Sequence, residues 1–325
     1  MRENKSKYKL VVSHVVERIG SEEYKNGDRI PSINAFRETY GLSRDTVFAG
    51  LRELMARGII ASNQGVGYFV KSTKVQTGHH VFLLFNEFNE FKENLFNSFI
   101  ESAGEGVTVD LYFHNYNRKV FETLVMDANG KYTDYIIMSG KFQGIGPLLE
   151  TLSGRVLLLD HFHPELLGKY SSVAQDFEKD TYEALNSAVD LIAKYKRIFM
   201  VQMEEKEPLE RYSGLKTFCK QHGFAHEYLS VTGNRSIVPG DLFIVVKDRD
   251  LVDLLKQANL QKLSPGKDFG IISYNDTPLK ELLAGGITTL STDFTLMGET
   301  MSMLLQTKSI ATIANPWKLN VRTSL

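Results

Sequence analysis

The chain has 325 residues, 42% of them hydrophobic and 24% charged, with a formal net charge of −1. That balance excludes a disordered or collagen-like polymer, and the lack of any apolar run of about 18 residues argues against a membrane-spanning helix. Charge is unevenly placed: residues 1–78 carry 13 Lys and Arg against 8 Asp and Glu, net +5, and the remaining 25 and 31 leave −6, a basic head on an acidic body that suits nucleic-acid contact by the head alone.

The first residues, Met1 to Leu10, lack the apolar core of a signal peptide, so a cytoplasmic protein is expected. Tyr8, Val11, Val12, Val15, Val16 and Ile19 recur at helical spacing and predict a first amphipathic helix. Pro31 suits a helix start, and Ile33, Phe36 and Tyr40 give a second helix over Ser32 to Tyr40. Gly41-Leu42 is a tight turn. Ser43 is an N-cap for a third helix running to Arg57, with Asp45 in its first turn facing the positive end of the helix dipole. Val47, Leu51, Leu54 and Met55 make its apolar face, and Arg44, Asp45, Phe48 and Arg52 lie opposite. Helix, glycine turn and helix give helix-turn-helix spacing. Ile59 to Ala61 and Tyr68 to Val70, around a glycine-rich tip, predict the hairpin of a winged helix.

The runs G-D-R-I-P-S (27–32), Y-G-L-S-R-D-T-V (40–47), L-R-E-L-M-A-R-G-I-I (51–60) and Q-G-V-G-Y-F-V (64–70) resemble the GntR family of bacterial transcription regulators over about the first seventy residues. In that family the first turn of the recognition helix and the wing tip touch DNA, which implies Arg44, Asp45, Thr46, Gln64 and Gly65 here. Asn34 and Phe48 depart from the pattern: they stand where many members carry an arginine, so two phosphate or base contacts are missing or replaced.

The expected organisation is a winged helix-turn-helix over 1–71, a linker over 72–80 that is polar and without periodicity, and an α/β body over 81–325. From Val81 strand and helix signals alternate. Strands are expected at 81–85, 107–114, 135–138, 156–159, 173–175, 197–202, 224–230, 241–246, 269–273 and 286–290. Helices are expected at 92–103, 118–126, 145–152, 180–194, 213–222, 251–258 and 298–305. Such alternation predicts parallel sheets covered by helices on both faces, enough for two doubly wound lobes. The lone cysteine, Cys219, cannot form an internal disulfide or a cysteine-based zinc site, and reads as a buried small hydrophobe.

Doubly wound sheets bind ligands beyond the C-terminal ends of their strands. The residues there are aromatic or planar hydrogen-bonders: Phe88, Asn89 and Phe91 after the first strand, Ser139 after the third, His161 after the fourth, then Asp176, Lys247 and Asn275. Aromatics stack on sugar faces, and Asn, Asp and Arg bond vicinal hydroxyls. The runs D-F-E-K-D-T-Y-E-A-L-N-S-A-V (176–189), R-Y-S-G-L-K-T-F (211–218), F-G-I-I-S-Y-N-D-T (269–277), G-I-T-T-L-S-T-D-F-T-L-M-G (286–298) and L-N-V-R-T-S-L (319–325) resemble the LacI/GalR effector domain, which has the fold of periplasmic sugar-binding proteins. The resemblance implies Arg211 as a residue holding sugar hydroxyls, with Asn275, Lys247 and Ser139 at further pocket positions; Lys247 and Asn275 replace the family's more usual Asn and Asp. A GntR-type head on a LacI-type body is similar to the arabinose-repressor class of hybrids.

Each site residue has a plainer reading: Arg211 in a surface ion pair, Asn275-Asp276 as a turn cap, Lys247 as a solvated lysine, Phe88 and Phe91 as core. No nucleotide-binding glycine pattern, nucleophile elbow or metal-ligand spacing is present; His79-His80 lacks a third ligand and His161-Phe162-His163 lacks a helical partner. The expected protein is a homodimeric regulator, a repressor without cofactor or metal. It binds a double-stranded DNA operator and responds to a small sugar such as an arabinose- or fucose-like aldose. The alternatives are a sugar sensor whose head contacts proteins, separable by the salt dependence of DNA binding, and an enzyme on a doubly wound fold, separable by ligand turnover.

Overall fold

The computed structural model describes residues 7–73, 78–233, 235–307 and 309–325. The head forms from α1 (Lys9–Gly20), α2 (Ile33–Tyr40) and α3 (Arg44–Ala56), then the antiparallel pair β1 (Ile60–Asn63) and β2 (Gly67–Val70). Capping sets the helix ends. Ser32 accepts a hydrogen bond from the Ala35 amide and Ser43 from the Thr46 amide, each at 3.2 Å, and Gly41 closes α2 in the left-handed region at φ 63°. Val11, Val15, Phe36, Val47, Leu51 and Leu54 interlock as the head core. Gly50 lets α1 and α3 approach, since a β-carbon there would lie 2.8 Å from the Tyr8 carbonyl.

The body begins with β3 (His79–Phe85), so His79 and His80 belong to a strand rather than to the linker expected over 72–80; residues 74–77 of that stretch lie outside the described residues. The reason is local pairing. His79 lies in register with Val107, and its Nδ1 is 2.7 Å from Asp134 Oδ2. His80 Nδ1 lies 2.9 Å from the carbonyl of Ala56, the last residue of α3, so head and body touch here.

The chain continues through α4 (Glu90–Ala103), β4 (Val107–Phe113), α5 (Arg118–Ala128), β5 (Asp134–Ile137), α6 (Gly146–Leu149), β6 (Arg155–His161) and β7 (Ser171–Gln175). Next come α7 (Phe177–Ser187), α8 (Val189–Ile192), β8 (Arg197–Val201), α9 (Glu210–His222), β9 (Ala225–Leu229) and β10 (Asp241–Val245). The last elements are α10 (Asp248–Gln261), β11 (Gly270–Tyr274), α11 (Pro278–Leu282), β12 (Thr288–Thr292), α12 (Phe294–Gln306), β13 (Thr312–Ala314) and β14 (Trp317–Asn320).

Two six-stranded sheets result, in order β13-β7-β6-β5-β3-β4 and β14-β12-β11-β10-β8-β9. Their pairings are parallel except β12 with β14. The chain passes between sheets three times, at Gln175–Phe177, Thr292–Phe294 and Ala314–Trp317. Three crossings side by side make a hinge. Helix α7 packs on α9 in the second lobe, and α12 packs on α4 in the first. Gly298 permits the second contact, because a β-carbon there would sit 2.5 Å from the Leu95 carbonyl. Among the described residues no helix is long and apolar enough to cross a membrane.

Two expectations change. The helix expected over 180–194 is α7 and α8, broken at Ala188 (φ −112°), where the Ser187 hydroxyl bonds the Ala184 carbonyl at 2.7 Å and competes with the helix ladder. Strands β13 and β14, and helix α11, had no clear periodic signal: each is five residues or shorter.

Candidate functional site

A cleft of about 340 Å³ opens between the lobes, beyond the C-terminal ends of the strands. Its size falls in the range of small-molecule sites. The first-lobe floor is a polar chain. Lys92, buried on α4, donates to Asp160 Oδ2 at 3.2 Å; the Gln175 amide donates to Asp160 Oδ1; and Thr292 Oγ1 donates to Gln175 Oε1. Gln175 and Thr292 are the last residues of β7 and β12, so this chain ends at two of the hinge crossings. Burial opposes the charge on Asp160, yet Lys92 and the Gln175 bond hold its carboxyl below the usual carboxylate range. Asp160 also takes φ 78°, a strained backbone for a non-glycine residue at a strand end.

The second-lobe wall centres on Arg211, in the first turn of α9. Its Nη1 donates to Glu207 Oε2 at 2.5 Å, and its guanidinium lies 4.6 Å from the Phe177 ring centroid and 4.7 Å from that of Tyr274. Its Nε is buried and, among the described residues, has no hydrogen-bond partner. Such a donor is free to meet an acceptor that enters the cleft. Beside it Asn275 turns at φ 60°, and the buried Lys280 fixes that turn: its Nζ donates to the carbonyls of Tyr274 (2.8 Å) and Asn275 (2.7 Å) and pairs with Asp248 Oδ1 at 2.8 Å.

Of the ligand residues expected from sequence, Asn89, Phe91, His161, Arg211, Lys247 and Asn275 line the cleft. Phe91 stacks on Phe294, with ring centroids 5.5 Å apart, and Asn89 also caps α4. Phe88, Ser139 and Asp176 are not among the lining residues. Phe88 is 58% exposed and meets Phe113 edge-on, because the Asn89 cap turns the chain into α4 and leaves Phe88 outside. Ser139 is buried, its hydroxyl 2.6 Å from His163 Nε2. Asp176 caps α7 by accepting from the Lys179 amide at 3.1 Å. Sequence reasoning missed Lys92, Tyr116 and Gln175. Lys92 sits among the apolar positions of α4, where a lysine gives no functional signal until Asp160 is seen opposite it.

Burial lowers the pKa of His161, with Arg211 adding to the effect and Glu210 and Asp160 opposing it; burial and the neighbouring His161 lower that of His163, against Glu165. His114 is lowered by burial too. A depressed folded-state pKa means that the unfolded chain takes up protons first, so stability falls as pH drops below the ordinary histidine value of 6.5. The thermal midpoint is expected to hold between pH 8 and 7 and to fall progressively toward pH 5. His163→Gln is expected to flatten that acid limb, and an unaltered limb would discount these histidines.

In the head, Arg44 and Asp45 are exposed at the start of α3, and Gln64 and Gly65 are exposed at the wing tip. Thr46 is 5% exposed, and its hydroxyl lies 2.8 Å from Ser43 Oγ, so its side chain belongs to the cap rather than to an open reading face. Phe48, 37% exposed, lies under Arg52, whose guanidinium is 5.1 Å from the ring. Asn34 is exposed at the start of α2, 3.5 Å from Arg37 Nη1.

Comparison with known proteins agrees with this two-part build. Residues 7–70 match the model of bacterial regulatory proteins of the gntR family, and residues 192–316 match a periplasmic binding protein-like domain. Over 102 residues the chain is 31% identical to the mannosyl-D-glycerate transport/metabolism system repressor MngR of Escherichia coli K12; the match covers 31% of this chain and 40% of that protein, so the chain spans well under half of this relative. A LacI family transcriptional regulator from Silicibacter pomeroyi has a similar fold (TM-score 0.66, 16% identity, 76% of this chain and 98% of that one). So does a periplasmic binding protein/LacI transcriptional regulator from Alkaliphilus metalliredigens, complexed with D-xylulofuranose (TM-score 0.61, 15% identity, 76% and 99%). The chain therefore joins a gntR-family helix-turn-helix domain to a body of periplasmic-binding-protein-like, LacI-type fold.

Proposed function

We propose that the protein is a transcription regulator, acting as a repressor, whose DNA affinity is set by a small sugar bound between the two lobes of its body. One observation carries the reading: a gntR-type helix-turn-helix head is fused to a hinged pair of lobes, and the cleft between them presents aromatic faces beside a guanidinium N–H that has no partner among the described residues. The solved neighbour with D-xylulofuranose supports a monosaccharide as the ligand class, and an arabinose- or fucose-like aldose fits the cleft volume. Two heads related by a dimer axis would meet a two-fold operator. The sugar changes operator affinity only through its unequal affinity for the open and closed lobes. Binding, not turnover, is the task.

The test selects operator fragments from random DNA with the full chain, then titrates neutral and acidic monosaccharides against the complex. A specific fragment released by one monosaccharide is the expected result. Failure to enrich any fragment sinks the regulator reading, and release by no sugar sinks the effector. Arg44→Ala is expected to weaken operator binding about 10–100-fold, as loss of one base-reading arginine does, with the fold intact. Unchanged affinity in a mobility-shift assay would remove Arg44 from the interface.

A further inference from the structure

The cleft's charges are nearly all accounted for by neighbours. Asp160 faces Lys92 at 3.2 Å, Glu207 faces Arg211 at 2.5 Å, Asp248 faces Lys280 at 2.8 Å and Glu87 faces Lys206 at 3.8 Å. Two lysines that line the cleft remain, Lys141 and Lys247, and neither has a carboxylate within 4.0 Å among the described residues. Among the described residues, Lys141 Nζ donates to the backbone carbonyl of Glu204, and Lys247 Nζ reaches only the thioether sulfur of Met203. A carbonyl dipole and a thioether compensate an ammonium poorly. Met203 and Glu204 are adjacent in sequence, so both ammonium groups converge on one short stretch of the rim.

We propose that this pair is an anion subsite, and that the effector is a sugar carrying an acidic group, a carboxylate or a phosphate, rather than a neutral aldose. The inference rests on the sugar-responsive reading above and narrows it. The cavity supplies the sugar-sized space, and the two ammonium groups left without a carboxylate partner specify what one end of the ligand must bring. The two lysines also come from opposite lobes: Lys141 follows β5 in the first and Lys247 follows β10 in the second. An anion held by both draws the lobes together, so its binding energy is available only when the cleft is closed. That unequal affinity for the two arrangements is what an effector needs. A neutral sugar would leave both ammonium groups partly desolvated and unmatched in the closed cleft.

The experiment is calorimetric titration of the full chain with matched sets: D-galactose, D-galacturonate and D-galactose 6-phosphate, with their gluco and arabino counterparts. An acidic member binding at least roughly tenfold tighter than its neutral partner, as a charge-assisted contact allows, is expected. Whether uronate or phosphate leads identifies the acidic group. Lys141→Gln and Lys247→Gln are each expected to bring the acidic-to-neutral affinity ratio toward one. In the unmodified protein the ratio is expected to shrink between 50 and 500 mM salt, as about tenfold more salt screens the pair; this readout needs no variant to fold. A neutral aldose binding as tightly as its acidic partners overturns the anion subsite and leaves the sugar reading standing. Binding by none of the sets overturns both.

Discussion

Asp160→Ala is expected to lower the unfolding free energy of the first lobe by about 3–5 kcal/mol, the cost of stranding a buried charge. Lys92 is 5% exposed, and Asp160 is its one carboxylate partner among the described residues. Removing it leaves the ammonium in a site that water barely reaches, and frees the Gln175 amide that ties the floor to the hinge. Alanine at φ 78° adds backbone strain that asparagine tolerates better. Asp160→Asn is therefore expected to cost less, and Lys92→Met with Asp160→Asn, which removes both charges and keeps a residue suited to φ 78°, to recover part of the loss. Urea unfolding followed by near-ultraviolet dichroism reads all three. The pH dependence has a definite sign. Because Asp160's folded-state pKa is depressed, its contribution is complete at neutral pH and is lost only as pH falls through and below the ordinary carboxylate range. Asp160→Asn should remove that part of the acid limb. A midpoint unmoved by Asp160→Ala would mean that water reaches Lys92 and that the pair is not a closed element of the cleft.

The same pair shows where sequence reasoning stops. The head was legible in detail because each of its parts is a local signal: Ser32 and Ser43 as caps, Gly41 at positive φ, Val47, Leu51 and Leu54 on one face. The alternation of strands and helices likewise predicted the parallel sheets, and the strand ends gave five of the cleft-lining residues, with Arg211 added by the LacI/GalR resemblance. What failed to show was pairing across long separations. Lys92 and Asp160 are 68 positions apart, and Gln175 and Thr292 are 117 apart. Lys280 shapes the Asn275 turn from within a five-residue helix that carries no periodic signal. Phe88 and Phe91 illustrate the limit within four residues: both are aromatic and both follow β3, but the Asn89 cap sends one to solvent and the other into the cleft. The wing and linker edges shifted by one or two residues because backbone pairing, not composition, sets where a strand begins.

Arg211→Lys keeps the charge and removes the fork, so it separates geometry from electrostatics in the proposed effector site. The guanidinium lies 4.6 Å and 4.7 Å from the ring centroids of Phe177 and Tyr274 and bonds Glu207, and Tyr274 is itself fixed by a 2.6 Å bond between its hydroxyl and Thr181 Oγ1. Four neighbours thus set the direction of the Nε–H, which has no protein acceptor among the described residues. A lysine ammonium neither packs against both rings as a planar guanidinium does nor presents a donor in the place of that Nε–H. Loss of a hydrogen bond to a charged donor is worth about 1.5–3 kcal/mol, so effector affinity is expected to fall about 10–100-fold. Operator affinity without effector should stay within about twofold, since the proposed DNA-reading residues lie on a separate domain and distant sites add independently. The measurement pairs calorimetric effector titration with a mobility-shift assay of operator release. A variant that still releases operator at the unmodified effector concentration would place the ligand away from Arg211. A variant that loses operator binding outright would instead mean that this wall of the cleft positions the helix-turn-helix head even without a ligand.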